Sequence, residues 1–189
     1  MRADAERNRQ RVLEAARELF AESGYTVSMD EVARRAEVGI GTLYRHFPTK
    51  EALIAAASEQ RFAEILTYYR TVCRGSADPV EALRLLLTHI GEVETRDQAF
   101  AIVVEATLGA ATVPSDWQAE LLTELMDLVR KGQAVGSIRA DVAGTDILSL
   151  TCGLASIVHR GTGDWRRYIK IVLDGLRALD TKIIEPVMK

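Results

Sequence analysis

Ser28 and Glu31, flanked by Val27 and Val32, mark a helix start more fully than any other point in the chain. A serine at the N-cap and a glutamate three residues on satisfy each other's orphan backbone N–H groups, and the two valines fall at hydrophobic-staple positions. Asp30 and Glu31 suit the positive end of the helix dipole. This helix is predicted to end near Ala36, and Glu37-Val38-Gly39 forms a short turn. A third helix then runs from Ile40 to Phe47, where Pro48 stops it by pushing the preceding residue out of the helical region. Two short helices joined by a three-to-four-residue turn is helix-turn-helix geometry.

At about 100° per residue, Ile40, Leu43 and Phe47 share one stripe and are expected to pack on the two preceding helices. Gly41, Thr42 and Arg45 point away from that stripe, with Tyr44 and His46 on its flanks. A two-turn helix with a small, polar and cationic outer face suits a DNA major groove. In that reading Gly41 permits close approach and Thr42 and Arg45 reach base edges, while Tyr44, His46 and Lys50 meet phosphates. On geometry alone, a short surface helix of an ordinary all-α protein stays open.

The remaining periodicity is helical almost throughout, and strand-type alternation is absent. Helix one is expected over Glu6–Glu22, stopped at Ser23-Gly24. A long fourth helix follows from Lys50 to Arg74, capped by Thr49. Asp78-Pro79 with Glu81 restarts the chain, with Val80, Leu83, Leu87 and Ile90 on its buried face. Further helices are expected at Asp97–Ala110, from Pro114-Ser115 to Gly132 with Gln118 at a capping-box position, at Val142–Arg160 and at Asp164–Ile184. Gly136–Asp141 reads as a turn.

Charge adds little: residues 1–50 carry nine Lys/Arg against eight Asp/Glu, in a chain of net charge −3. The local cluster Arg2, Arg7, Arg9 and Arg11 is able to neutralise phosphates, and it reads equally as a solvated helix face. No apolar run reaches the roughly 20 residues of a membrane span, and the start MRADAERNRQR has no signal core. Cys73 and Cys152 have neither disulfide-framework nor zinc spacing. A reduced cytoplasmic setting is therefore expected, with no metal, cofactor or membrane partner.

Leu13-Glu-Ala-Ala-Arg-Glu-Leu-Phe20, Gly24-Tyr25, Val32-Ala33-Arg34-Arg35-Ala36 and Val38-Gly-Ile-Gly-Thr-Leu-Tyr-Arg-His-Phe-Pro-Thr-Lys-Glu-Ala-Leu53 together resemble the TetR family of transcription regulators. The resemblance spans about residues 8–54. It implies an all-α homodimer, usually a repressor, whose C-terminal helical bundle binds a small effector that releases DNA. It also implies operator contacts at Thr42, Tyr44, His46 and Lys50, and a dimer interface on the last two helices. The organisation expected is a DNA-binding domain at 1–48, opened at its second helix by Ser28, and an effector-binding and dimerisation domain at 49–189. The operator is expected to be a palindromic duplex, since one two-turn helix reads too few base pairs to be selective.

Leu150, Leu154, Ile157, Trp165, Ile169, Val172 and Leu176 form apolar stripes suited to a four-helix dimer interface; closing each subunit's own core is the other reading. Effector candidates are Phe62, Tyr69, His89, Phe100, Glu105, Trp117, Met126 and Cys152, aromatic, polarizable or ionisable residues in largely apolar helices. Exposure for Glu105 and core packing for His89 and Trp117 stay open. A DNA-binding regulator without an effector also remains. An enzyme would need a nucleophile–base pair, phosphate loop or metal-ligand spacing, and the sequence displays none.

Overall fold

The computed structural model describes residues 2–109 and 115–178. Nine α-helices run through these residues: α1 Arg2–Ser23, α2 Met29–Arg35, α3 Ile40–His46, α4 Lys50–Tyr68, α5 Pro79–Arg96, α6 Gln98–Leu108, α7 Ser115–Ala134, α8 Gly144–Arg160 and α9 Trp165–Leu176. Among the described residues the sole β feature is an isolated antiparallel bridge between Ile138 and Arg177. Pro114, the side chain of Gln118, Ala110 and residues 179–184, all part of the expected helices, lie outside the described residues.

The helix starts follow local chemistry. Ser28 Oγ accepts from Glu31 N at 3.2 Å, and Glu31 Oε2 accepts from Ser28 N at 2.7 Å, closing the capping box of α2. These bonds hold the Glu31 carboxyl below its usual range, the bond to the Ser28 backbone contributing most. Thr49 caps α4 by accepting from Ala52 N at 3.1 Å. Asp78 accepts from Val80 N at 2.9 Å at the start of α5, where Pro79 costs nothing because the first-turn N–H groups have no helical partner. Asp164 accepts from Arg166 N and Arg167 N to open α9.

The turn between α2 and α3 is a Schellman motif: Val38 N donates to Ala33 O at 3.0 Å and Glu37 N to Arg34 O at 3.1 Å. Its left-handed residue is Glu37, at φ 53°, whereas Gly39 is the extended N-cap of α3. The fourth helix ends as predicted near Arg74, but through one π turn, Tyr69–Cys73, in which Arg74 N reaches Tyr69 O at 2.8 Å. The last helix is shorter than its periodicity suggests. Arg139 N takes the carbonyl of Leu176 at 3.0 Å and Arg177 turns extended, which draws the chain out of the helix beside Ile138.

Two apolar clusters organise these helices. The first gathers Val12, Leu13 and Phe20 of α1, Val32 of α2, Leu43 of α3 and Phe47 at its C-terminal cap, and Leu53 and Ile54 of α4. It also takes in Phe100, Val103 and Val104 of α6. A seven-residue helix has too few hydrogen bonds to stand alone. Burial of Leu43 and Phe47 holds α3 in place, at roughly 1.5–3 kcal/mol per side chain. The second cluster packs α5 at the centre against α4, α7, α8 and α9, with Leu83, Leu86, Leu87, Leu121, Leu125 and Ile147 fully enclosed.

Candidate functional site

The helix-turn-helix presents the face expected of it. Gly41 and Arg45 are exposed, Tyr44 is 47% exposed, and Thr42 is half-buried beside Gly39. Ile40 departs from the predicted stripe: it is 37% exposed, because the first residue of α3 projects past the surface that encloses Leu43 and Phe47. His46 is half-buried, and its Nε2 is enclosed without a hydrogen-bond partner. Ser28 is exposed and committed to its cap.

Lys50 is more constrained than its sequence position suggested. Its ammonium donates to the Tyr25 carbonyl and lies 4.0 Å from the Tyr25 ring centroid. Tyr25 in turn donates from its hydroxyl to Glu51 at 2.5 Å, which raises its own pKa. Of the basic cluster on α1, Arg7 pairs with Asp4, Arg11 pairs with Glu37 at 2.5 Å, and the Arg9 guanidinium sits 5.8 Å over the Phe47 ring. Part of the positive charge near the reading head is thus already balanced within the chain.

A cavity of about 450 Å³ lies between α4, α5, α6, α7 and α8. Of the effector candidates, Phe62, Glu105, Trp117 and Cys152 line it. Phe62 and Trp117 pack with ring centroids 4.6 Å apart, and Trp117 Nε1 donates to the Phe62 carbonyl at 2.6 Å. Trp117 is therefore both packing residue and wall. Glu105 is exposed at the cavity edge.

The other four candidates, Tyr69, His89, Phe100 and Met126, do not line this cavity. Phe100 lies on the opposite face of α6 and stacks near Phe20 in the first core, centroids 6.4 Å apart. Tyr69 is beyond the cavity's end, in the second core; it donates to the Glu124 carbonyl at 3.2 Å, and burial pushes its pKa to about 12. His89 stacks on Tyr68 at 3.8 Å, and burial lowers its pKa. Met126 faces outward, 51% exposed, against the backbone of Gly144.

The polar part of the wall escaped the sequence reading. Glu94, 4% exposed, accepts from Arg61 Nη1 at 3.0 Å. Its Oε2 also lies 2.6 Å from His159 Nε2, within hydrogen-bond distance. The only prior signal was charge interrupting an apolar stripe, as at Glu94 after Ile90 and Val93, which looks identical to an exposed position. Among the described residues no cluster of His, Cys, Asp or Glu is arranged to hold a metal.

The proposed interface residues mostly turn inward. Leu154, Trp165, Ile169 and Val172 are buried in the chain's own second core, while Leu150, Ile157 and Leu176 are half-buried against it. For these four residues the apolar periodicity closes the subunit's own core, the other reading open in the sequence. Ser149 of α8 and Arg167, Lys170 and Ile171 of α9 face outward, Ile171 at 59% exposure, whereas the exposed Cys152 and Ser156 of α8 border the cavity.

Comparison with known proteins adds independent findings. Residues 12–57 match the model described as bacterial regulatory proteins, tetR family, and residues 78–178 match that of the transcriptional regulator SbtR-like C-terminal domain. A solved TetR transcription regulatory protein from Mycobacterium vanbaalenii is 36% identical, with a TM-score of 0.69 covering 94% of this chain and 99% of that one. A TetR transcriptional regulator from Streptomyces coelicolor is 32% identical, with a TM-score of 0.68 over 90% of this chain and 98% of that one. An HTH-type transcriptional regulator from Staphylococcus aureus (strain USA300) is 31% identical over 107 residues, 56% of this chain and 58% of that relative's length.

Proposed function

This chain belongs to the TetR family of transcription regulators, and from that premise we propose that it is an operator-binding repressor released by a small, largely apolar effector. The observation that carries the reading is the double duty of two helices. Leu53, Ile54 and Ala57 of α4 pack in the core of the reading head, while Ser58, Arg61, Phe62 and Ile65 wall the cavity. Phe100 and Val103 of α6 join the same reading-head core, while Ala101, Ile102 and Glu105 face the cavity. A molecule that spreads the cavity walls therefore displaces helices to which α3 is anchored.

Selective reading calls for two copies on a palindrome, with recognition helices 34–36 Å apart or a multiple of it. We assign pairing to the outward side of α8 and α9 around Ile171. Release then requires the effector to bind one spacing of the two heads more tightly than the other. In this scheme Thr42 and Arg45 read bases, Gly41 allows close approach, and Tyr44, His46 and Lys50 contact phosphates, Lys50 exchanging the Tyr25 carbonyl for a phosphate oxygen.

The test is duplex selection from a random pool, followed by fluorescence anisotropy on the selected and a scrambled duplex. Arg45→Ala is expected to cost about 1–3 kcal/mol on the selected duplex and little on the scrambled one. Lys50→Ala is expected to weaken both alike and to flatten the salt dependence. Equal losses on both duplexes for Thr42→Ala and Arg45→Ala contradict the assigned base contacts. A selected sequence lacking two-fold symmetry contradicts the paired arrangement.

A further inference from the structure

The cavity's polar wall specifies more about its occupant than its size does. Arg61 and Ser58 are 5% and 2% exposed, and both line the cavity. Arg61 Nε and Ser58 Oγ are enclosed with no hydrogen-bond partner, although Arg61 Nη1 is engaged by Glu94 at 3.0 Å. Buried polar groups left unmade are costly and rare, so two of them side by side on one helix call for an explanation. Each has something to offer a ligand: Nε–H is a donor only, and the hydroxyl can donate as well.

The charge of this wall narrows the choice. The Arg61 guanidinium is already balanced by Glu94, which is itself also bonded to His159 at 2.6 Å. A ligand carboxylate at Arg61 and Ser58 would bring a second anion beside the buried Glu94, while Arg160, the further arginine on the wall, is exposed to solvent, so desolvation and repulsion disfavour it there. An ammonium would meet the like charge of the Arg61 guanidinium, whose Nε–H has no lone pair to offer it. A neutral oxygen acceptor satisfies both orphan groups without adding charge. The rest of the wall, with the Phe62–Trp117 ring pair at 4.6 Å, suits an apolar body.

We propose that the effector is a neutral amphipathic molecule whose carbonyl-type oxygen is held by Arg61 Nε–H and the Ser58 hydroxyl, with its apolar body against Phe62 and Trp117. This inference rests on the effector reading above. It assigns Arg61 and Ser58 as the residues that discriminate the head group, with Glu94 and His159 holding Arg61 in position.

The experiment titrates the full-length protein, by isothermal calorimetry, with three probes of matched apolar body: hexanophenone, hexylbenzene and 6-phenylhexanoate. Hexanophenone is expected to bind at least about tenfold more tightly than either of the others, the loss typical of leaving buried donors unpaired. Arg61→Lys keeps the charge opposite Glu94 and removes Nε–H, and Ser58→Ala removes the hydroxyl with little change of volume. Each is expected to weaken hexanophenone several-fold and leave hexylbenzene unchanged, with circular dichroism confirming that the variants fold. Tighter binding of the carboxylate overturns the neutral head group. Equal binding of ketone and hydrocarbon overturns head-group recognition while leaving an effector cavity in place. Binding of none of the three probes overturns the inference and the effector reading with it.

Discussion

Gly91 is a position where adding a single methyl group is expected to cost stability for little chemical change. It is buried in the middle of α5, and the ring of Trp165, the first residue of α9, lies flat against it. A Cβ on Gly91 would come 2.5 Å from Cε3 and Cζ3 of that ring and 3.0 Å from Cδ2. Two effects compete. Alanine is the better helix former, by up to about 1 kcal/mol. The ring, 9% exposed, is closed in by the second core and has nowhere to turn, so overpacking of about 1–3 kcal/mol opposes it. The clash wins, and Gly91→Ala is expected to lower stability by about 1–2 kcal/mol, or roughly 2–8 °C in Tm for a chain of this length. Differential scanning calorimetry reads the shift. Trp165→Leu is destabilising alone, yet the double variant is expected to lose about 1 kcal/mol less than the two singles together, since the contact behind the clash is gone. A Tm for Gly91→Ala equal to or above the parent, or strict additivity in the cycle, refutes this account.

Glu37→Gly should relieve the left-handed backbone at φ 53°. About 1–2 kcal/mol of strain relief is set against about 0.4–1 kcal/mol of added chain entropy and a weak exposed pair with Arg11. The expected net gain is up to about 1 kcal/mol, seen as a Tm rise of roughly 1–3 °C; a fall of similar size contradicts it. His89 offers a pH signature: burial, the largest cause, holds its folded pKa below the ordinary value of about 6.5. The unfolded chain then takes up this proton first, so the contribution is complete above about pH 6.5 and erodes as the pH falls from there toward the folded pKa. His89→Phe, which keeps a ring on Tyr68, should lose stability less steeply than the parent between pH 6.5 and 5 in urea titrations. Identical slopes dispose of the assignment.

What the sequence made legible, and what it left hidden, divides by the range of the interactions. The capping box at Ser28 and Glu31, the cap at Asp78 and the α3 stripe of Leu43 and Phe47 depend on neighbours three or four positions away, and each is found where the spacing places it. The Arg61–Glu94 and Glu94–His159 contacts join residues 33 and 65 positions apart. Nothing local distinguishes those charges from solvated ones. Apolar periodicity likewise says that Leu154, Trp165, Ile169 and Val172 are buried, without saying against what, and the answer is the chain's own core.

The same limit applies to α6, whose sequence predicts a helix without assigning its faces. Its sequence Gln98–Leu108 is apolar on nearly every side, which periodicity cannot resolve into faces. In the fold that all-round character has a use. Phe100 and Val103 are held in the reading-head core, while Ala101, Ile102 and Glu105 border the cavity. Arg17 of α1 and Asp97, just ahead of α6, form an ion pair that ties the two together, and Gln98 donates to the carbonyls of Val158 and His159 on α8. Ala99, Ile102, Glu105 and Ala106 of α6 are exposed, but its Phe100 and Val103 side moves only by carrying its neighbours with it, because close-packed interiors transmit displacement. In the proposed scheme, filling the cavity acts on α1 and α3 through α6 as well as along α4, and the Phe100 and Val103 side of α6 carries that coupling.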